Sequence, residues 1–173
     1  MNVPSTTPSD PPVFFETGND IPLHRRRELV VLLNLRLADA VDLQLQMKQA
    51  HWNVKGPNFI ALHGLFDRVE EDVRSYVDLL AERLVQLGGT AEGTVRIAAS
   101  RTRLAEFPLG ITTGLAHLEA VARALAAFGR EARDSIDQAN ALEDADSADV
   151  FTEVSRGTDK WLWLVEAHFQ SPQ

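Results

Sequence analysis

The sequence predicts an all-α fold: a four-helix bundle with a short extra helix in the connection between the second and third helices. Three observations predict it. Apolar residues recur at helical spacing through four long segments, with no strand-like alternation and no internal repeat. Glycine, proline and small polar residues punctuate those segments where helices start and stop. The connections are unequal, two of them short and the middle one long enough to hold one or two helical turns.

Taken in order, residues 1–20 carry Pro4, Pro8, Pro11 and Pro12 among Ser, Thr and Asp. They read as a flexible tail, and residues 21–170 as the bundle domain. The first helix follows Pro22. Leu29, Leu32, Leu33, Leu35, Leu37, Val41, Leu43 and Leu45 mark its period, and Gly56-Pro57 stops it. The second runs from about Asn58 to the Gly88-Gly89 pair. The segment TVRIAASRTRLAEFPLG links it to a third helix that starts near Thr112-Thr113. The last starts near Asp146-Ser147 and carries Val150, Phe151, Val154, Trp161, Leu162, Leu164 and Val165.

Composition narrows the chemistry. A chain of 173 residues suits one domain with a sizeable core. Without cysteine there is no disulfide and no thiolate ligand, so any metal must be held by His and carboxylate. No run approaches the roughly 20 apolar residues of a membrane helix. The first residues lack the basic and apolar regions of a secretory signal, and a cytoplasmic location is expected, with nucleoid association as the variant. Seventeen Lys and Arg against 25 Asp and Glu leave a net charge of -8. That balance disfavours nucleic acid and suits a protein that gathers cations.

The second helix carries two kinds of face. At about 100° per residue, Leu62, Phe66, Val69, Val73, Val77, Leu80, Leu84 and Leu87 fall in a stripe roughly 80° wide, the bundle side. His63, Asp67, Glu71, Asp78 and Glu82 fall in another arc. The ordinary reading of that arc is a solvated face with ion pairs to Arg68, Arg74 and Arg83. Against it, His63/Asp67 and Asp78/Glu82 are each i,i+4 pairs without a cation, so each pair can aim at one external ion. Their centres lie roughly 22 Å apart along the axis, too far for one helix to serve one metal. Two copies crossing antiparallel about a two-fold axis near Asp72 would bring His63 and Asp67 of one to Asp78 and Glu82 of the other. His51, near the end of the first helix, can join the His63 end. Glu71 lies close to that axis, where helix crossing or an ion pair with Arg74 is the simpler reading.

The stretch KQAHWNVKGPNFIALHGLFD, with DLLAERLVQLGG and DKWLWLVEAH after it, resembles the Dps family, ferritin-like mini-ferritins named for DNA protection in starved bacteria. The likeness spans residues 22–170. It implies a hollow dodecamer with ferroxidase sites at two-fold dimer interfaces. His51, His63 and Asp67 would come from one subunit and Asp78 and Glu82 from its partner. Fe(II) would be oxidised there, preferentially by hydrogen peroxide rather than oxygen, and the Fe(III) stored as mineral. Zinc is the candidate competitor for the same ligands. The histidines would bind iron directly or through water, and only as neutral imidazoles, so binding weakens as pH falls. Trp52, beside His51, packs at the dimer interface or quenches stray radical oxidation near the iron. An ordinary ferritin centre inside one bundle needs Glu-x-x-His pairs, and no Glu in this chain has His three residues later.

A second acidic cluster holds Asp144, Asp146, Asp149 and Glu153. It reads as a helix start favoured by the macrodipole. By the resemblance it lines a three-fold pore for iron entry. DNA compaction is the rival function. Residues 1–20 contain no Lys or Arg, and Arg25-Arg26-Arg27 is the one basic cluster, so DNA binding is expected to be weak or absent. His24, His117 and His168 are assigned no site, and Trp161 and Trp163 are read as core and shell contacts.

Overall fold

A computed structural model describes residues 13–170. They form five helices and, among the described residues, no strand: α1 (Leu23–Asn53), α2 (Phe59–Gln86), α3 (Val95–Arg101), α4 (Gly114–Ala141) and α5 (Ala145–Glu166). The long helices pack α1 on α2, α4 on α5, α1 on α4 and α2 on α5, with the short α3 laid across α1. The expected four-helix bundle and its extra helix are both present.

The apolar stripe of α2 is inside as its period requires: Leu62, Phe66, Val69, Val73, Leu80, Leu84 and Leu87 are buried and Val77 partly so. They meet Leu29, Leu33, Leu37, Leu43 and Met47 of α1, Leu125 and Phe128 of α4, and Phe151, Val154 and Val165 of α5. Burial of these side chains stabilises the bundle by about 1.5–3 kcal/mol apiece before conformational entropy is subtracted. Not every periodic residue is core: Leu45 is 46% exposed and Val31 62%. Trp161 is buried, whereas Trp163 stands out at 61%.

Helix ends follow local chemistry. α2 finishes at Gln86 rather than at the glycines. Gly88 takes φ +91°, its N–H donates to the Val85 carbonyl and that of Gly89 to the Leu84 carbonyl, the Schellman pattern. α1 ends three residues before Gly56, because Val54 is already extended and buries its side chain in the core. Thr113 caps α4, its hydroxyl accepting from the Ala116 N–H at 3.2 Å. α5 starts one residue earlier than the sequence suggests, at Ala145, with Asp144 at the cap position.

Two sets of polar contacts fix the connections. Asn34 of α1 donates to the Thr90 carbonyl at 3.1 Å and accepts from the Glu92 N–H at 2.9 Å. Further along α1, Asp39 accepts the Arg103 N–H at 2.7 Å, Asp42 the Thr102 hydroxyl at 2.8 Å, and Gln46 donates to the Ala105 carbonyl at 3.0 Å. These α1 side chains therefore pin both ends of the crossover that holds α3. Beside them the buried Arg36 pairs with Asp39 at 2.8 Å and Glu131 of α4 at 2.6 Å. Burial pushes the Asp39 carboxyl above its ordinary range despite the Arg36 charge. Residues 13–20, expected as tail, are neither helix nor strand but are tied to the bundle. The Phe15 N–H donates to the Gly88 carbonyl at 2.7 Å, the Thr90 hydroxyl donates to the Val13 carbonyl, and the Phe14 ring lies against Arg26 and Arg27. The rest of that tail lies outside the described residues.

Candidate metal centre

The short connection after Asn53 folds α2 back along α1, and that reversal sets the end of one against the start of the other. α1 contributes Lys48 and His51, one turn apart; α2 contributes His63, Asp67 and Glu70 from successive turns. The two imidazoles stack with centroids 3.6 Å apart and planes at 24°. Each Nδ1 reaches the other residue's backbone oxygen: His51 Nδ1 the carbonyl of His63, and His63 Nδ1 the carbonyl of His51, both at 2.9 Å. A carbonyl oxygen can only accept. Nδ1 therefore carries the proton on both rings, and Nε2 of each keeps the lone pair a metal needs.

Asp67 completes the cluster, with Oδ1 3.6 Å from His51 Nδ1. That separation is too long for a hydrogen bond. The partner of Asp67 is instead Lys48, whose Nζ donates to Oδ1 at 2.5 Å and lies 3.5 Å from Glu70 Oε2. The Lys48 hydrogen bond holds the Asp67 carboxyl below its usual range against partial desolvation, and the same contact raises the Lys48 ammonium. Glu70 is buried and accepts from Gln44 Nε2 at 2.8 Å.

The structure brings together three of the five proposed ligands and leaves two apart. Asp78 and Glu82 lie further along α2, exposed, and neither pairs with a cation among the described residues. The ion-pair reading of the acidic arc fails at its cations: Arg83 turns inward to Asp144, and Arg68 and Arg74 pair with no described carboxylate. Within one chain, no three or more His, Asp or Glu side chains of the described residues converge to hold a metal. The donor types nonetheless fit Fe(II), neutral imidazole nitrogen with hard carboxylate oxygen. The face carrying them is rimmed by apolar side chains left open: Trp52 is 63% exposed, Ile60 79% and Phe59 38%. Trp52 thus packs against nothing substantial in its own chain.

Elsewhere the cluster at the start of α5 divides. Asp146, Asp149 and Glu153 are exposed. Asp144 must be withdrawn from the pore set: it is 3% exposed and both its oxygens accept from Arg83 Nη2 at 2.9 Å. His117 is buried and donates to the Thr113 carbonyl, a structural role, and Trp161 donates its indole N–H to Asp72 at 2.7 Å. The sequence reading missed Lys48 and Glu70. The spacing Gln44, Lys48, His51 on one face of α1 was the available signal.

Comparison with known proteins places the chain. The family model of the ferritin-like domain matches residues 30–172. The DNA protection during starvation protein of Agrobacterium fabrum is 41% identical over 155 residues, covering 90% of this chain and 96% of that protein. Its namesake from Mycolicibacterium smegmatis is 35% identical over 81% of this chain and 76% of its own length. Among solved structures, DpsA14 from Streptomyces coelicolor superposes with a TM-score of 0.87 at 31% identity, over 92% of this chain and 95% of that one. Dps from Microbacterium arborescens in its high iron form gives 0.80 at 32% identity, over 89% and 98%. The chain belongs to the Dps family of ferritin-like proteins. That membership places it, in general terms, among proteins of iron storage or DNA protection.

Proposed function

We propose that the protein is a ferroxidase that oxidises and stores iron at sites shared between two-fold-related subunits of a dodecamer. The observation that carries this reading is the stacked His51–His63 pair, whose proton positions leave the Nε2 lone pair of each ring free, with Asp67 close to His51, on a face rimmed by exposed apolar side chains. A second copy docked there antiparallel supplies Asp78 and Glu82 and covers Trp52. The high iron form named for the M. arborescens relative is in keeping with it.

Iron is the substrate. Two Fe(II) ions give one electron each to hydrogen peroxide, two protons are taken up, and two Fe(III) ions and two waters result. The two-electron path releases no hydroxyl radical. Carboxylates from both chains offset the ion's charge, the neutral imidazoles complete the donor set, and the apolar rim limits water. Asp146, Asp149 and Glu153, repeated about a three-fold axis, would focus a negative potential that draws cations inward. DNA is not the principal ligand on this reading, because the net charge is -8 and the tail carries no cation.

The test is anaerobic loading with Fe(II) followed by peroxide, read by ferric absorbance. Wild type should oxidise iron within the mixing period, and Asp78→Ala/Glu82→Ala should lose at least about a hundredfold in rate. Equal rates would remove the site. Retardation of duplex DNA at physiological salt would move the function to the rival class.

A further inference from the structure

We propose that the groove between the start of α2 and the end of α5 is a binding site for an oxyanion of the phosphate class, with Arg68, Lys160 and His168 as its donors. At about 100° per residue, Arg68 falls outside both the apolar stripe of α2 and the arc that carries His63 and Glu82. The groove is built by one chain and stands or falls apart from the shared metal centre.

The three side chains line a single cavity of about 430 Å³, whose apolar wall is made by Leu65, Trp161 and Leu164. Arg68 and Lys160 are exposed, and neither pairs with a carboxylate among the described residues. The acids nearest Arg68 along the helix are engaged elsewhere: Asp67 accepts from Lys48, and Asp72 accepts the Trp161 indole N–H at 2.7 Å. That second bond fixes the indole, and the Lys160 ammonium lies 5.5 Å from the centre of its ring, within cation–π range. His168 commits Nδ1 to the Leu164 carbonyl at 2.9 Å, so Nε2 is the free edge of the ring. As imidazolium that edge donates to an oxyanion, and as neutral imidazole it accepts the hydroxyl of a protonated phosphate. His168 also borders an adjoining hollow lined by Lys55, which adds a further cation at this end of the bundle.

Charge makes this concentration informative. The chain carries a net charge of -8 and has only three lysines, so its field as a whole repels anions. Binding here must come from local donors, and a guanidinium with an ammonium beside it suits the several oxygens of a phosphate. The cavity is of the size that takes a small organic ligand, and its apolar wall gives an ester group a place to lie.

The full-length iron-free protein, in the assembly it forms, is titrated against inorganic phosphate and, separately, phenyl phosphate at low ionic strength, and the phosphorus NMR linewidth is followed. Wild type should broaden the signal saturably, with a Kd on the order of a millimolar or tighter. Arg68→Gln/Lys160→Gln should weaken binding by about tenfold or more, with assembly size unchanged because both side chains are exposed. Arg96→Gln/Arg130→Gln removes the same charge from exposed arginines of α3 and α4 and should bind as wild type does. Tighter phenyl phosphate assigns the occupant as an ester seated on the apolar wall, and equal affinities assign the free ion. Failure of wild type to broaden either signal overturns the site. Equal weakening in the two double variants overturns it as well, since a diffuse field would then account for the binding.

Discussion

At the scale of single residues, the most consequential charge outside the candidate metal centre is Asp144. Arg83 lies 9% exposed between α2 and α5, with Nη2 bonded to both Asp144 oxygens and Nε donating to the Ser147 hydroxyl at 3.0 Å. Removing the carboxylate would strand a buried guanidinium. Asp144→Ala should therefore cost about 3–5 kcal/mol of unfolding free energy, read by urea denaturation. Burial pushes the Asp144 carboxyl up, but its contacts with Ser147 and Arg83 pull it further down, to below the ordinary 3.8. The folded chain then binds this proton less readily than the unfolded chain. Its contribution is fully present above 3.8 and drains away as pH falls further, toward the folded value. The stability gap between wild type and Asp144→Asn should shrink over that acid range; a gap independent of pH would show that the pairing adds nothing. Tyr76 is a quieter case. Burial, then the charges of Asp72 and Glu153, push its hydroxyl up to about 12, and that hydroxyl fills the space a side chain at Gly157 would need.

Among the elements, the second helix has to end where it does. Gly88 sits in left-handed backbone, and a Cβ built there would meet the Phe15 carbonyl oxygen at 2.5 Å. Arg26 closes the same corner, donating Nη1 to the Leu87 carbonyl and Nε to the Ile21 carbonyl, both at 3.0 Å. One substitution therefore strains the cap and pushes away residues 13–15 together. Gly88→Ala should lower stability by about 1–2 kcal/mol from the backbone alone. Hydrogen exchange should also rise at the Phe15 amide, and undisturbed protection there would separate the segment's docking from the cap. The α1 crossover clamp belongs to this scale as well. Asn34, Asp39, Asp42 and Gln46 each engage the segment between Thr90 and Ala105, which explains why α1 buries the polar side chains of Asn34, Asp39 and Gln46.

For the whole molecule, the proposed function makes each chain half a site twice over. One end of α2 presents His63 and Asp67 with His51 beside them, and the other presents Asp78 and Glu82. Two inactive variants can therefore repair each other. Chains carrying His51→Ala/His63→Ala, unfolded and reassembled with chains carrying Asp78→Ala/Glu82→Ala, should regain roughly a quarter of wild-type ferroxidase sites on random pairing, since each mixed dimer holds one intact site. Either variant alone should regain none. Failure of the mixture, with dodecamers of normal size, would mean that the ligands of one site come from one chain.

Much of the bundle was legible because helical period and helix punctuation are local properties. The stripe of α2, the Gly88-Gly89 stop and the Thr113 cap need only neighbouring residues to be recognised. Part of the candidate site was legible for the same reason: His63 and Asp67 share a face whatever surrounds them, and the absence of Glu-x-x-His argues against an ordinary ferritin centre inside one bundle. What the sequence concealed were partners distant along the chain. Asp144 looked like one of several surface carboxylates until Arg83, some sixty residues away, took both its oxygens. Lys48 drew no reading from the sequence, and only the reversal after Asn53 lays it on Asp67 and Glu70. The chain alone determined its class, its helices and the donor types it can offer to a cation. The protonated nitrogen of each histidine and the cation held by each buried acid were decided only by tertiary structure, because hydrogen bonds and ion pairs depend on distances that no spacing along one helix contains.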